Sequence, residues 1–295
     1  MRALGLDIGG SAVKAGAINV DGSDRRETTR ETGEGTTLEG LLDALVDIHA
    51  ELGPVDRIGI GSPGLLDRVA GRVLTSPNLP WMTEGPLVEP IVERCGLTRD
   101  AVAFENDANA AALGEFWLGA GREYASLLFV TLGTGVGGGL ILDGELVLGA
   151  GLAGEVGHFK VDPQGPPCGC GQRGCVEALA SATAARRRAR EAGLPDDLAE
   201  LNHAADSGDP RARELFRAVG YDLGYGLSAA LNLLDLRTYV IGGGFSAAIA
   251  HLEPGIREGF ARGSYGDRLE ALTVLRASLG PSAGWIGAAR AALDR

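Results

Sequence analysis

Leu4–Ile18 reads LGLDIGGSAVKAGAI, and Leu127–Leu142 reads LLFVTLGTGVGGGLIL. Each is an apolar run that stops at a glycine-rich turn and resumes as a second apolar run. Short apolar runs bounded by glycine clusters are the signature of buried strands, so both stretches predict strand, tight turn, strand. The repeated opening predicts two related halves with a cleft between them, and such clefts are where ligands collect. Outward from these stretches, strands alternate with helices. TLEGLLDALVDIHAEL (37–52) has apolar residues at helical spacing, and AVAFEND (101–107) is a strand feeding the helix ANAAALGEFWLG (108–119). TYVIGGGF (238–245) is a strand running directly into a helix, LTVLRASLG (272–280) is the last strand and AGWIGAARAALD (283–294) the last helix. The alternation predicts an α/β protein with open sheets.

The chain has 295 residues, which suits about two domains. Apolar content of 45% and charged content of 22% are ordinary for a globular protein. A net charge of -12 argues against nucleic acid as a partner, because phosphate backbones need a basic face. The densest basic run, Arg186–Arg190, lies in an Ala-rich helical stretch and reads as a solvated helix face. No apolar run reaches the roughly 20 residues of a membrane span, and the N-terminus enters a strand at once. A cytoplasmic location is therefore expected. Four cysteines are too few for a disulfide framework over this length.

The glycine turns carry the first chemistry. Gly9 and Gly10, followed by Ser11, allow a backbone to approach a ligand closely, and Asp7 at the strand end suits a water bound to Mg²⁺. Gly133, Thr134 and Gly135 offer a hydroxyl and N–H groups to a phosphate from the second half. Gly243 and Gly244, between a strand and a helix, suit the lining of a nucleotide site. Lys14 lies inside a strand and carries no assigned role. At the next strand-to-helix junction stand Asn106 and Asp107. Asn and Asp cap helices well; equally, Asp107 suits a general base and Asn106 a hydrogen-bond partner for a hydroxylated substrate. The two readings are compatible.

HFKVDPQGPPCGCGQRGC (158–175) holds three of the four cysteines. Cys168, Cys170 and Cys175 are spaced C-x-C-x₄-C, and His158 precedes them by a loop rich in Pro and Gly. Three thiolates and one imidazole suit a structural, tetrahedral Zn²⁺; unligated buried cysteines and a redox pair are the alternatives. Glu155 and Glu177 flank the loop, so a metal fixing His158 and Cys175 would position both carboxylates. Cys95 stands alone and reads as a small buried apolar residue.

DIGGS (7–11), GIGSPG (59–64), ENDANAAALGE (105–115), TLGTGVGGG (131–139), GEVGH (154–158), CGCGQRGCVE (168–177), IGGG (241–244) and ASLGPSAGWIGAA (277–289) occur in the order seen in the ROK family of sugar kinases, whose best-known members are bacterial glucokinases. The chain resembles that family over essentially its whole length. The resemblance implies the actin-like/hexokinase ATPase (ribonuclease H-like) fold, with two α/β domains around a central cleft. The expected division is 1–117 with 281–295, where the C-terminal helix returns, and 118–280, which carries the cysteine loop. It also implies ATP-dependent phosphorylation of a hexose, glucose first, with N-acetylmannosamine, N-acetylglucosamine, fructose or a non-catalytic sugar sensor as alternatives. Asp107 would then be the base, and Asn78, Asn106, Glu155, His158 and Glu177 would contact the sugar, with His158 also a zinc ligand. Two departures are visible: Ser11 stands where the family usually has Thr, and NLPW (78–81) lacks the family's usual glycine between Pro80 and Trp81. The repressors of the family carry an N-terminal helix-turn-helix that this chain, opening on its first strand, is not expected to have. Related polyphosphate glucokinases lack the cysteine cluster, which favours ATP as donor. A homodimer or homotetramer is the assembly the family suggests.

Overall fold

A computed structural model describes residues 1–32, 35–76, 79–265 and 269–295. Along the chain run β1 (Arg2–Ile8), β2 (Ala12–Asn19), β3 (Arg26–Glu31), α1 (Leu38–Leu52), β4 (Arg57–Ser62), β5 (Leu65–Asp67), β6 (Arg72–Thr75), α2 (Val88–Cys95), β7 (Val102–Asn106) and α3 (Asp107–Leu118). Then follow β8 (Leu127–Leu132), β9 (Val136–Leu142), β10 (Glu145–Leu146), α4 (Val176–Ala180), α5 (Ala182–Glu191), α6 (Leu198–Asp206), α7 (Pro210–Leu234), β11 (Thr238–Gly242), α8 (Ile249–Gly263), β12 (Thr273–Arg276) and α9 (Ala283–Leu293). The β5–β6 hairpin is an addition to the elements expected from sequence. The chain separates into two compact units. One comprises Met1–Ala125, Gly139–Ala153 and Ser278–Arg295, the other Ser126–Gly138 and Gly154–Ala277.

In the first unit a five-stranded sheet has the order β3-β2-β1-β4-β7, with β1, β4 and β7 parallel and β2 and β3 antiparallel. Alternation along β1 sends Leu4, Leu6 and Ile8 into a core shared with Leu41, Leu45 and Ile48 of α1. Ala3 faces the other way, into a second cluster with Trp285, Ile286 and Ala289 of α9. Helix α9 lies so close to the sheet that only glycine fits beneath it. A Cβ on Gly5 would stand 1.8 Å from Trp285 O, and one on Gly59 1.7 Å from Ala288 O. Caps set the helix starts: Thr37 Oγ1 accepts from Gly40 N at 3.2 Å to open α1, and Gly96, left-handed at φ 65°, closes α2.

In the second unit β8, β11 and β12 are parallel neighbours within the sheet order β10-β9-β8-β11-β12. Helices α7 and α8 cross at small residues: a Cβ on Gly220 would lie 2.1 Å from Leu252 O, and one on Gly255 1.9 Å from Arg217 O. Asp209 caps α7, with Pro210 in its first turn. Arg186 and Arg190 of α5 are solvated as expected, but Arg187 and Arg188 are half-buried. Arg187 donates to Ala178 O at 3.0 Å and Arg188 pairs with Asp222. Cys95 is half-buried at the margin of the first unit's core rather than fully inside it.

Candidate functional site

At the end of β1, Asp7 is half-buried, opposite Lys14 in the antiparallel register and Gly61 in the parallel one. Burial pushes its carboxyl up to about 7; the nearby Asp107 carboxylate adds to the shift and Lys14 opposes it. Lys14, given no role from sequence, is thus part of this environment. Helix α9 reaches the same point: a Cβ on Gly284 would stand 2.4 Å from Asp7 Oδ2. The turn beyond is tight, with Gly9 N donating to Ala12 O at 2.9 Å, while the Cα of Gly10 faces open space. Ser11 is exposed and its carbonyl accepts from Thr32 N at 2.9 Å.

Asn106 caps α3. Its Oδ1 accepts from Ala108 N at 2.9 Å and from Asn109 N at 3.3 Å, and its Nδ2 donates to Gly64 O at 3.3 Å. One N–H of its amide therefore remains for another acceptor. Gly64 sits at φ 99° with its Cα so near the next strand that a Cβ would reach within 2.1 Å of Thr75 O, which is why this turn needs glycine. Asp107 opens the helix half-buried, and its Oδ1 accepts from Ala108 N at 2.9 Å. Cap and presented carboxylate coexist here. Asn78 lies outside the described residues.

In the second unit the two remaining glycine turns come together. Strands β8 and β11 pair in parallel, with Thr131 opposite Gly242, so both turns leave the same sheet end. The carboxyl ends of parallel strands are the usual ligand side of open α/β sheets. Gly243 has φ 78° and a Cβ there would stand 2.3 Å from Leu132 O; Gly244 is open. Gly133 closes its own turn by donating to Gly135 O at 3.0 Å and accepts from Ala182 N at 2.9 Å. Thr183 Oγ1 donates to Thr134 O at 2.8 Å, leaving the Thr134 side chain exposed.

The cysteine loop folds on itself. His158, Cys168, Cys170 and Cys175 place their donor atoms within 4.8 Å of one another. Cys168 Sγ is 3.8 Å from His158 Nδ1, and Cys170 Sγ is 3.7 Å from Cys175 Sγ. A tetrahedron with metal–sulfur bonds of about 2.3 Å has edges of about 3.8 Å, so the four donors have the spacing of a closed thiolate–imidazole metal site. Burial pushes the Cys168 thiol up to about 12, whereas a backbone N–H at Gln172 lowers the exposed Cys170. The turn geometry is demanding: a Cβ on Gly174, at φ 64°, would stand 1.5 Å from Asp162 O. His158 turns Nδ1 to the cysteines and Nε2 toward Glu155 Oε2, 3.9 Å away. Glu177 joins two parts of the unit, facing Cys168 Sγ at 3.5 Å through Oε1 and accepting from Val136 N at 3.1 Å through Oε2. The cysteine loop and the Gly133–Gly135 turn therefore share one carboxylate.

Three polar groups beside these sites were not anticipated. Lys160 Nζ lies 3.2 Å from Cys175 Sγ and places a cation beside the thiol cluster. Glu105 is buried next to Asn106 and paired with Arg68. Glu115, fully buried in α3, receives backbone N–H groups from Ala120, Ser278 and Leu279. A carboxylate amid Leu113, Phe116 and Trp117 was the visible signal for Glu115.

The strand order and the glycine turns at the sheet ends define an α/β protein of the actin-like/hexokinase ATPase fold. The chain is similar over its whole length to a ROK hexokinase from Thermus thermophilus, at 34% identity and a TM-score of 0.85, covering 99% of this chain and 98% of that one. It is likewise similar to a ROK glucokinase from Streptomyces griseus solved in complex with glucose and AMPPNP, at 36% identity and TM-score 0.81, each chain covered fully. A glucokinase from Thermotoga maritima is 37% identical over 269 residues, 84% of this chain and 83% of its own. The sequence profile of the ROK family matches residues 3–295, and the chain belongs to that family. Among the described residues no helix is long and apolar enough to cross a membrane.

Proposed function

We propose that this protein is an ATP-dependent hexose kinase that converts glucose to glucose 6-phosphate. The observation that carries the reading is its full-length likeness to the glucokinase bound to glucose and AMPPNP. Asp107 takes the proton of the sugar's 6-hydroxyl as that oxygen attacks the γ-phosphorus. The new O–P bond forms as the bond to the bridging oxygen of ADP breaks. Asn106, which caps α3 through Oδ1, has one amide N–H left beside the one donated to Gly64 O, and it donates this to a sugar oxygen. Glu155, Glu177 and the Nε2 side of His158 contact further hydroxyls, and Asn78 is assigned to the sugar on family grounds alone. Gly9, Gly10, Ser11, Gly133, Thr134, Gly135, Gly243 and Gly244 serve the nucleotide through backbone N–H groups and hydroxyls. Phosphoryl transfer relies mainly on such positioning and charge stabilisation.

Two ions belong to the reading. Mg²⁺, when bound to the nucleotide, neutralises charge on the β- and γ-phosphates, and Asp7 would hold one of its waters. Zn²⁺ fits His158, Cys168, Cys170 and Cys175; four protein donors leave no open position, so its part is to fix the loop that bears Glu155, His158 and Glu177. ADP release coupled to a dye readout, across glucose, mannose, fructose, N-acetylglucosamine and N-acetylmannosamine, tests the proposal. Glucose should give the highest kcat/KM. Asp107→Asn should keep glucose binding and lose roughly 10²–10⁴-fold in kcat. Near-normal turnover by that variant removes the base assignment, and absence of sugar-dependent ADP release in the wild type removes the kinase.

A further inference from the structure

The strand-to-helix turn that bears Asp107 is held from behind by a buried ion pair. Glu105, the residue before Asn106 in β7, is 6% exposed. Its carboxylate meets Arg68 of the β5–β6 turn: Arg68 Nε lies 3.0 Å from Oε2 and 3.2 Å from Oε1, and Nη2 also bonds Oε1. The same Oε1 accepts from Asn106 N at 2.7 Å and from Asn109 Nδ2 at 3.0 Å. One carboxylate thus grips the peptide before Asp107 and the side chain two residues after it. Arg68 is itself fixed, because Arg99 Nη2 donates to its carbonyl at 2.9 Å while Arg99 Nη1 donates to Val102 O, in β7, at 3.0 Å.

Helix initiation does not require this arrangement, since Asn106 already caps α3. Nor does stability alone account for it. A buried ion pair recovers little beyond the cost of desolvating its two charges, and an apolar pair of similar volume often serves as well. What the pair does supply is direction. A guanidinium fork on a carboxylate has one well-defined geometry, and here that geometry is passed to Asn106, just before Asp107, and to Asn109, two residues after it.

We propose that Arg68 and Glu105 are positioning residues for the phosphotransfer, orienting the Asp107 carboxylate toward the attacking hydroxyl. This rests on the kinase reading above and adds the residues that make its base effective. Neither touches substrate; both act through the turn.

The test is a kinetic cycle on the full chain. Arg68→Met and Glu105→Gln are each measured alone and combined with Asp107→Asn, with both substrates saturating. A base displaced by about 1 Å loses on the order of 100-fold in rate, so each single variant should lose about 10- to 100-fold in kcat, with KM for ATP within about twofold of wild type. In the Asp107→Asn background, where no base remains to misplace, the same substitutions should change kcat by less than about threefold, because residues acting as one unit are not additive. Arg68→Lys keeps the charge and loses the fork; it should fall between wild type and Arg68→Met, and it serves as the second probe where Arg68→Met does not fold. A loss of equal size with and without Asp107, or single variants that turn over like wild type, overturns the positioning role and leaves the kinase standing. A wild type that phosphorylates no sugar overturns both.

Discussion

Glu115→Gln is expected to weaken the first unit by about 3–5 kcal/mol, a magnitude that follows from the groups around the carboxylate. Glu115 is fully buried and every partner facing it is a donor: Ala120 N at 2.8 Å and Ser278 N at 3.1 Å on Oε2, Leu279 N at 2.8 Å on Oε1, with Ser278 Oγ at 3.4 Å. Glutamine has one oxygen. Placed at the Oε2 position it keeps two backbone bonds, each reduced from charge-assisted to neutral at about 1 kcal/mol apiece. Its NH₂ then confronts the Leu279 N–H, and a buried donor left without an acceptor costs about 1–3 kcal/mol. The sum is a large share of the roughly 5–15 kcal/mol that holds a domain together. The assay is built into the sequence, because all three tryptophans, Trp81, Trp117 and Trp285, lie in the first unit. Urea unfolding followed by their fluorescence reports that unit alone. With a slope of about 2 kcal/mol/M, the midpoint should fall by about 1.5–2.5 M at unchanged slope. Glu123→Gln, at an exposed side chain, should shift it negligibly. A Glu115→Gln midpoint within about 0.5 M of wild type would show that the carboxylate is not the anchor its contacts describe.

Four further outcomes are expected. On the zinc reading proposed above, Cys175→Ala should abolish zinc measured by elemental analysis and raise the glucose KM by about 10–100-fold, as loss of metal-site support typically does, while KM for ATP stays put; equal rises in both would refute the loop's assignment to the sugar. Asp7 binds its proton more tightly when folded, near pH 7 against an ordinary 3.8. Its contribution to stability is therefore complete below pH 3.8 and lost as pH rises through about 7. Asp7→Asn should accordingly gain thermal stability over wild type at pH 8 relative to pH 5, and an equal Tm difference at both pH values contradicts the shift. Gly59→Ala, which sets a methyl 1.7 Å from Ala288 O, should cost about 3 kcal/mol by overpacking. Gly10→Ala meets nothing within 4 Å and should leave Tm unchanged while raising KM for ATP; a Tm loss like that of Gly59→Ala would mean that its glycine is there for the fold.

Why some of this was legible in the sequence and some was not comes down to distance along the chain. The strand–glycine–strand openings could be read because pleat alternation and the turn lie within fifteen residues, Leu4 to Ile18, and the structure returns β1 and β2 with Gly9 in the turn between them. The His/Cys cluster was legible because its four side chains lie between His158 and Cys175, so spacing alone brings them near, and their donor atoms do converge. Residues whose sense depends on distant partners were read blandly. Lys14 looked like an ordinary strand lysine until its register partner, Asp7, was known. Arg188 looked solvated because its partner, Asp222, is 34 positions on, and Arg187 because its acceptor is a backbone carbonyl, Ala178 O, that no side-chain pattern displays. The β5–β6 hairpin was missed because three- and four-residue strands are too short to show a period.

The same contrast separates groups that meet a ligand from groups that aim them. A backbone that must approach phosphate needs glycine in place, and a closed metal site needs several donors close by; both demands write dense local motifs. Aiming needs only one strong hydrogen bond from somewhere rigid, and nothing requires that support to be near in sequence. Arg68 reaches Glu105 across 37 positions, and Glu115 reaches Leu279 across 164. Arg68 appears in the sequence as a single ordinary charge, and Glu115 only as a carboxylate in an apolar stretch, with nothing to name its partner. Glu177 is the intermediate case: it stands two residues from a cysteine ligand, which exposes it to a local reading, yet its second bond goes to Val136, 41 positions back. That bond ties the cysteine loop to the Gly133–Gly135 turn. A change at Glu177 is thus expected to disturb both the cysteine loop and the glycine turn, where one at Glu155, exposed and bonded only locally, reaches only the sugar contact proposed above.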